Sequence, residues 1–272
     1  MKEIKMTNEE ILKIAMEQSA VDSGCKAEDF LSNENIVVIS RQFDGARKYL
    51  KLPFLCDLAS YGNNIVASVS PELKDIVTDY INSYPPYHCF ETPNMIVLQG
   101  KLRPLNMNVC FMAEYWLPDV EVIGKICATR TVPAGYELRV LEKAEIDTLN
   151  YSEWENALCE ARKELDILAV AAYKNGKMIG LAGCSADCDT MWQIGIDVKP
   201  EYRRQGIAST LVNQLACECL ERGKVPFYCC AWSNLKSVRT ALKSGFRPAW
   251  VQLTVKQNEI IEKTNKKVIA KH

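Results

Sequence analysis

From Leu165 onward the chain alternates short apolar runs with short polar breaks. ILAVAAY (167–173), MIGLAGCSA (178–186) and MWQIGIDV (191–198) each have the length of a strand, and KNGK and DCDT separate them. Breaks this short join neighbouring antiparallel strands, so three such strands are predicted. The period then changes. Ile207, Leu211, Leu215 and Cys219 recur at helical spacing with Val212, Ala216 and Leu220 alongside, which predicts a helix with one buried face ending near Arg222-Gly223. VPFYCCAW (225–232) follows as a buried strand, and a strand, helix, strand passage of this length is a parallel crossover. SNLKSVRTALKSGF (233–246) predicts a second helix, with Ser233 and Asn234 as capping types, Leu235, Val238 and Leu242 on one face, and Gly245 at its stop. AWVQLTV (249–255) is a closing strand, and the polar tail beyond Lys256 reads as a solvated terminus or a loose last helix.

The first half repeats part of this pattern. In SVSPELKDIVTDYI, Val69, Pro71 and Glu72 match Val198, Pro200 and Glu201 of DVKPEYRRQGIASTLV, and an apolar strand precedes each. Further on, Asn94 stands ahead of Leu105-Asn106 as Asn234 stands ahead of Gly245-Phe246. The pattern predicts an internal repeat, with coincidence between two short stretches as the alternative. In the first copy LKDIVTD replaces YRRQGIA, so the glycine is gone and Ile76 and Val77 would crowd an approaching phosphate.

Composition narrows the chemistry. Among 272 residues, 33 Lys and Arg nearly cancel 34 Asp and Glu, so no overall field recruits nucleic acid or an anionic membrane. The apolar runs are shorter than the roughly 20 residues a membrane helix needs, and the charged start MKEIKMTNEE lacks a secretory core, which gives the expectation of a cytoplasmic protein. Twelve cysteines lie scattered through apolar runs without a C-x-x-C pair, so reduced, packed thiols are expected. His88 and His272 are the only histidines, which leaves little for a histidine metal site or a Ser-His-Asp triad, and no metal is expected.

One segment carries a positive chemical signal. VKPEYRRQGIASTL (198–211) sets Arg203, Gly206 and Ala208 in the spacing R-x-x-G-x-A at the start of a helix. A helix N-terminus has unsatisfied N–H donors and partial positive charge, and a glycine entry lets phosphate approach the backbone. The amides from Arg204 through Gln205, Gly206, Ile207 and Ala208 to Ser209 would then face the anion, while Arg203 and Arg204 add charge at the rim. Ile207 would point to the core, and Ser209 would cap the helix or touch phosphate.

The strand MWQIGIDV, the loop PEYRRQGIAS with its helix, the strand VPFYCCAW, and N-L-K-S running to K-S-G-F together resemble the GNAT superfamily of acyl-CoA-dependent N-acyltransferases over about residues 135–256. The resemblance implies an α/β fold with a mixed sheet, divided into a degenerate GNAT-like domain at 1–128 and an acetyltransferase domain at 133–272. It implies acetyl-CoA as cofactor and an amine as acceptor, with no nucleic acid or membrane partner. The pantetheine arm would lie along the strand end from Ile196 to Val198, and Asn234 and Ser237 of the N-L-K-S segment would contact it. Many members carry a tyrosine acid where this chain has Ala241. That loss supports the alternative of a CoA-binding regulatory protein with reduced catalysis.

Acyl transfer to an amine sets two proton problems. Deprotonating a lysine-like amine at neutral pH costs about 4 to 5 kcal/mol, against about 2 kcal/mol for a cysteine-like thiol to leave as thiolate. The base therefore matters more. Asp197 is the only carboxylate on the strand beside the expected thioester, either as base, or as a solvent-facing residue or the partner of a nearby lysine. Tyr228 could replace the missing tyrosine. Glu114 in FMAEYW could reach the acceptor, or be a buried partner of arginine.

Overall fold

The structure is a computed structural model that describes residues 4–129, 132 and 135–270. From the N-terminus come α1 (Asn8–Ser23), β1 (Ile36–Ile39), β2 (Cys56–Ser60), β3 (Val66–Val69), α2 (Lys74–Asn82), α3 (Thr92–Leu102) and β4 (Met107–Pro118). Then follow α4 (Val120–Thr129), β5 (Tyr136–Glu142), α5 (Lys143–Ile146), β6 (Asp166–Lys174), β7 (Lys177–Ser185) and β8 (Met191–Val198). The last elements are α6 (Ile207–Glu221), β9 (Val225–Cys230), α7 (Leu235–Lys243), β10 (Phe246–Gln257) and α8 (Asn258–Ala270). The chain divides into two compact units, one of Met1–Ala15 with Tyr115–Ala249 and the other of Met16–Glu114 with Trp250–His272. The sequence expectation of 1–128 and 133–272 differs from this, because the C-terminal stretch groups with the unit built from the first half. Residue 133 and His272 lie outside the described residues.

In the unit of Met16–Glu114 and Trp250–His272, β3 pairs parallel with β1 and antiparallel with β2, and β2 pairs antiparallel with β10. Alternation gives each strand two faces of different chemistry. Leu58, Ala67, Val69, Leu253 and Val255 pack under Leu73, Val77, Ile81, Leu98 and Leu102 of the α2–α3 side. On the other face Asp57 and Ser68 stand opposite each other, and Gln252 Nε2 donates to Asp57 Oδ2 at 2.8 Å. Ser68 Oγ donates to the Ser23 carbonyl at 2.9 Å, and Asp22 binds Arg47 through both the backbone amide and the guanidinium.

The other unit carries the antiparallel run β5, β6, β7, β8, with β9 parallel to β8. Short turns join β6 to β7 to β8, and α6 makes the crossover to β9, as the hydrophobic periods predict. Ile207, Leu211, Val212, Leu215, Ala216, Cys219 and Leu220 of α6 are all buried. The second helix departs from its predicted burial. Leu235 and Leu242 are 56% and 53% exposed, and α7 buries Ala241 instead.

The two halves share local features but not strand order. In both halves a strand ends at valine, a proline-led 3-10 turn follows (Pro71–Leu73 and Pro200–Tyr202), and a helix comes next. Asn106 and Gly245 both take left-handed conformations, at φ 59° and 93°, immediately before β4 and β10. The order of strands differs. The parallel neighbour of β3 is β1, which precedes it in the chain, whereas the parallel neighbour of β8 is β9, which follows it. Asn94 also differs from Asn234, for it lies inside α3 and donates to the His88 carbonyl at 2.8 Å.

Among the described residues no helix is long and apolar enough to cross a membrane, and no group of three or more His, Cys, Asp or Glu could hold a metal ion. All twelve cysteines are free thiols, seven of them buried.

Candidate active site

The stretch between β8 and α6 has the same start in both halves and a different middle. In the first half the 3-10 turn runs straight into α2 at Lys74. After Tyr202 the chain instead inserts Arg203 to Gly206 before α6 begins, and within it Arg204 and Gly206 are left-handed, at φ 63° and 81°. Left-handed residues in such a turn bring successive amides to one concave side, which is an anion cradle. At Gly206 a β-carbon would meet nothing within 4 Å, so the glycine is required by its φ and leaves open space over the helix start. Arg203 Nε donates to the Val198 carbonyl at 2.9 Å and braces the loop on the strand. Tyr136 OH donates to Gln205 Oε1. Ser209 and Thr210 hydroxyls both donate to the Gly206 carbonyl, at 2.9 and 3.1 Å, so Ser209 braces the first turn.

This loop opens into a cavity of about 1380 Å³. The ladder between β8 and β9 runs from Met191 and Val225 to Ile194 and Tyr228 and stops there. Beyond it β8 continues to Val198 bonded only to β7, so the edge of Gly195–Val198 towards β9 carries no ladder. Ile196 and Val198 line the cavity at this opening. Tyr228 OH and Ser237 Oγ are hydrogen-bonded at 2.7 Å, and burial pushes the phenol up to about 12 against the lowering effect of that bond. Asn234 caps α7 by accepting from the Ser237 amide at 3.3 Å. Lys236, Arg239, Thr240 and Lys243 of the same helix also line the cavity.

The segment 154–159 lies against the opposite sheet face. A β-carbon at Gly195 would stand 1.9 Å from the Asn156 carbonyl oxygen, so only glycine admits this approach. Asp197, two residues along the same face, accepts from Asn156 N at 2.8 Å, Asn156 Nδ2 at 2.6 Å and Ala157 N at 3.0 Å. Its carboxylate is a pin for the segment, engaged by three donors. Glu114 lies on β4, in the unit of Met16–Glu114 and Trp250–His272, and is not among the cavity's lining residues. Burial raises its carboxyl.

Arg203, Arg204, Gly206, Ile207, Ala208, Ser209, Asn234 and Ser237 share the cavity with Ile196, Val198, Asp197 and Tyr228, whereas Gln205 does not line it. Sequence reasoning missed Arg162, Asp166, Ser185 and Gln193, which line its other end. It also missed the basic row Lys236, Arg239 and Lys243, although spacings of three and four along a helix were a readable signal.

Residues 124–249 match the family model described as GNAT acetyltransferase. This segment, a little under half of the chain, is what resembles that family. Among solved structures, the chain is similar to a GCN5-related N-acetyltransferase-like protein from Streptococcus suis, with 19% identity, 61% of this chain and 69% of that chain covered, and a TM-score of 0.43. It is similar to a GCN5-related N-acetyltransferase from Kribbella flavida at 15% identity, covering 60% of this chain and 63% of that one with a TM-score of 0.42. It is also similar to the aminoglycoside N-acetyltransferase AAC(6')-Iy in complex with CoA, at 21% identity, with 44% of this chain and 93% of that chain covered and a TM-score of 0.34. A comparison with curated proteins gave no match.

Proposed function

We infer that the cavity takes acetyl-CoA and that the protein transfers the acetyl group to an amine. The observation that carries this is the charge polarity of the cavity. Arg203, Arg204, Lys236, Arg239 and Lys243 line the end at the phosphate loop and α7, whereas Glu155 and Asp166 outweigh the single Arg162 at the end by the segment 155–166. A donor with several phosphates and a cationic acceptor are complementary to those two ends. The volume exceeds the roughly 300–1,000 Å³ of a drug-sized pocket, as a nucleotide donor and an acceptor together require.

In the proposed reaction the pyrophosphate rests on the amides from residue 204 to 209, and the pantetheine amides pair with the open edge of Gly195–Val198. The amine nitrogen attacks the thioester carbonyl. A C–N bond forms, the C–S bond breaks, CoA leaves as thiolate, and the nitrogen loses its proton to solvent. Tyr228, held by Ser237, donates a hydrogen bond to the departing sulfur. A phenol raised to about 12 is a weak acid, which suits a leaving group whose departure costs only about 2 kcal/mol.

The test is thiol release from acetyl-CoA across a panel of amines. Release that saturates with amine and exceeds the amine-free rate supports transfer. A second reading, CoA binding without transfer, draws on the fully buried Ala241 standing where many members have tyrosine. Tight CoA binding with no amine-dependent release would establish that reading instead.

A further inference from the structure

Across the sheet face that the segment 154–159 approaches, one row of side chains runs through three strands. Asp166 of β6 pairs with Ser185 of β7, and Ser185 pairs with Gln193 of β8. Residues directly opposite in a sheet share a face. Asp166 joins this row because of an irregularity. The register shifts between Asp166 and Leu168, so that Leu168 opposes Cys184 while Asp166 opposes Ser185, and the bulge turns Asp166 to the face opposite Leu168. All three polar residues line the cavity, and Gln193 Nε2 donates to Cys229 Sγ at 3.0 Å beside the opening between β8 and β9.

Two features of the row are unexplained by the fold. Ser185 is 7% exposed, and among the described residues its hydroxyl has no hydrogen-bond partner. Asp166 is 1% exposed and accepts from the Cys159 amide at 2.8 Å through Oδ2. Around it stand Arg162, Asp187, Lys143, Tyr151, Cys159 and Cys184. Arg162 Nε is 3.4 Å from the buried Asp187 carboxylate and Lys143 is paired with Asp147, so both neighbouring cations are engaged by other acids.

We propose that the acceptor is a diamine or polyamine whose second ammonium group docks on Asp166, with Ser185 as a hydrogen-bonding waypoint, while the first amine reacts beside Gln193. This rests on the acyl-transfer reading. Two strand spacings separate Asp166 from Gln193, about 10 Å. After about 3 Å for the contact with the carboxylate, about 7 Å remains between the nitrogens. That is about the span of a four- or five-carbon chain. Asp166 is then a positioning residue, since it holds the acceptor without touching the reacting atoms. Burial raises its carboxyl to about 6, so it is ionised at neutral pH, and the preference for diamines fades as pH falls through that value.

The experiment compares 1,4-diaminobutane and 1,5-diaminopentane with butylamine and pentylamine, in the full chain and in Asp166→Asn, Asp166→Glu and Ser185→Ala. Wild type is expected to favour the diamines by at least about tenfold in kcat/KM, the effect of about 1.4 kcal/mol. Asp166→Asn erases the preference by raising KM for the diamines to that of the monoamines. Asp166→Glu restores it with the optimum one carbon shorter, which a purely structural role would not produce. Calorimetric titration of 1,4-diaminobutane into the protein with CoA bound reads the same site without turnover. Diamine binding that disappears in Asp166→Asn upholds the site even where acyl transfer fails. Equal use and equal binding of mono- and diamines by wild type, or a diamine preference that survives Asp166→Asn, overturns it.

Discussion

Gly206 and Asp197 show how one residue can be read for the right position and still have its task decided by its neighbours. Gly206 caps α6 at φ 81° with open space above it, so valine there meets no packing clash and suffers the left-handed strain of about 1 to 2 kcal/mol. The larger effect falls on the ligand, because the β-branched side chain fills the space a phosphate needs. Gly206→Val should keep a cooperative unfolding transition while CoA affinity by calorimetry falls at least about tenfold. Undiminished affinity would remove the phosphate loop from the account. At Asp197 three N–H donors occupy the carboxylate, and an asparagine amide nitrogen cannot accept in their place. Asp197→Asn should lower stability by about 1 to 3 kcal/mol and lower turnover, with no recovery at high pH. A stable variant whose turnover recovers above the amine pKa would make Asp197 the base after all.

At the scale of elements, what was legible was whatever depends on local period. The three strands from β6 to β8, the buried stripe of α6 and the glycine stop of α7 follow from spacing alone. Burial of α7 did not, because its apolar residues Leu235 and Leu242 face outward and only Ala241 is buried fully. The row Asp166, Ser185 and Gln193 was invisible for a physical reason. These residues are brought together by cross-strand register and a bulge, and neither leaves a mark at short sequence range. The same holds for β2 and its buried Asp57, whose carboxyl burial raises to about 7, against the lowering effect of the Gln252 hydrogen bond and of Arg47. An acid with a raised folded pKa binds its proton more tightly folded than unfolded, so stability falls as pH rises from about 4 towards about 7. Asp57→Asn should remove that slope and unfold at a higher temperature than wild type at pH 8. Thermal unfolding across pH 4 to 8 checks this, and an unchanged slope would place the proton elsewhere.

At the scale of the whole molecule, the sequence revealed two halves with a shared motif and a chemical difference between them. It missed that the C-terminal stretch from Trp250 belongs to the unit of the first half, since β10 pairs with β2 across nearly two hundred positions of sequence. The unit of Met1–Ala15 and Tyr115–Ala249 holds the whole cavity and its six basic residues. Because those cations are spread over an open site, CoA binding should weaken with added salt, and the KM for acetyl-CoA should rise between low and about 0.5 M ionic strength, where screening acts within a few ångströms. In the proposed complex the cavity holds CoA with its phosphates on the loop before α6 and its arm between β8 and β9. A crystal structure of the protein with CoA tests it most directly. Pyrophosphate density is expected on the amides of residues 204–209, with pantetheine amides bonded to the edge of Gly195–Val198. Phosphates bound elsewhere, or an arm that bypasses the opening between β8 and β9, would contradict it.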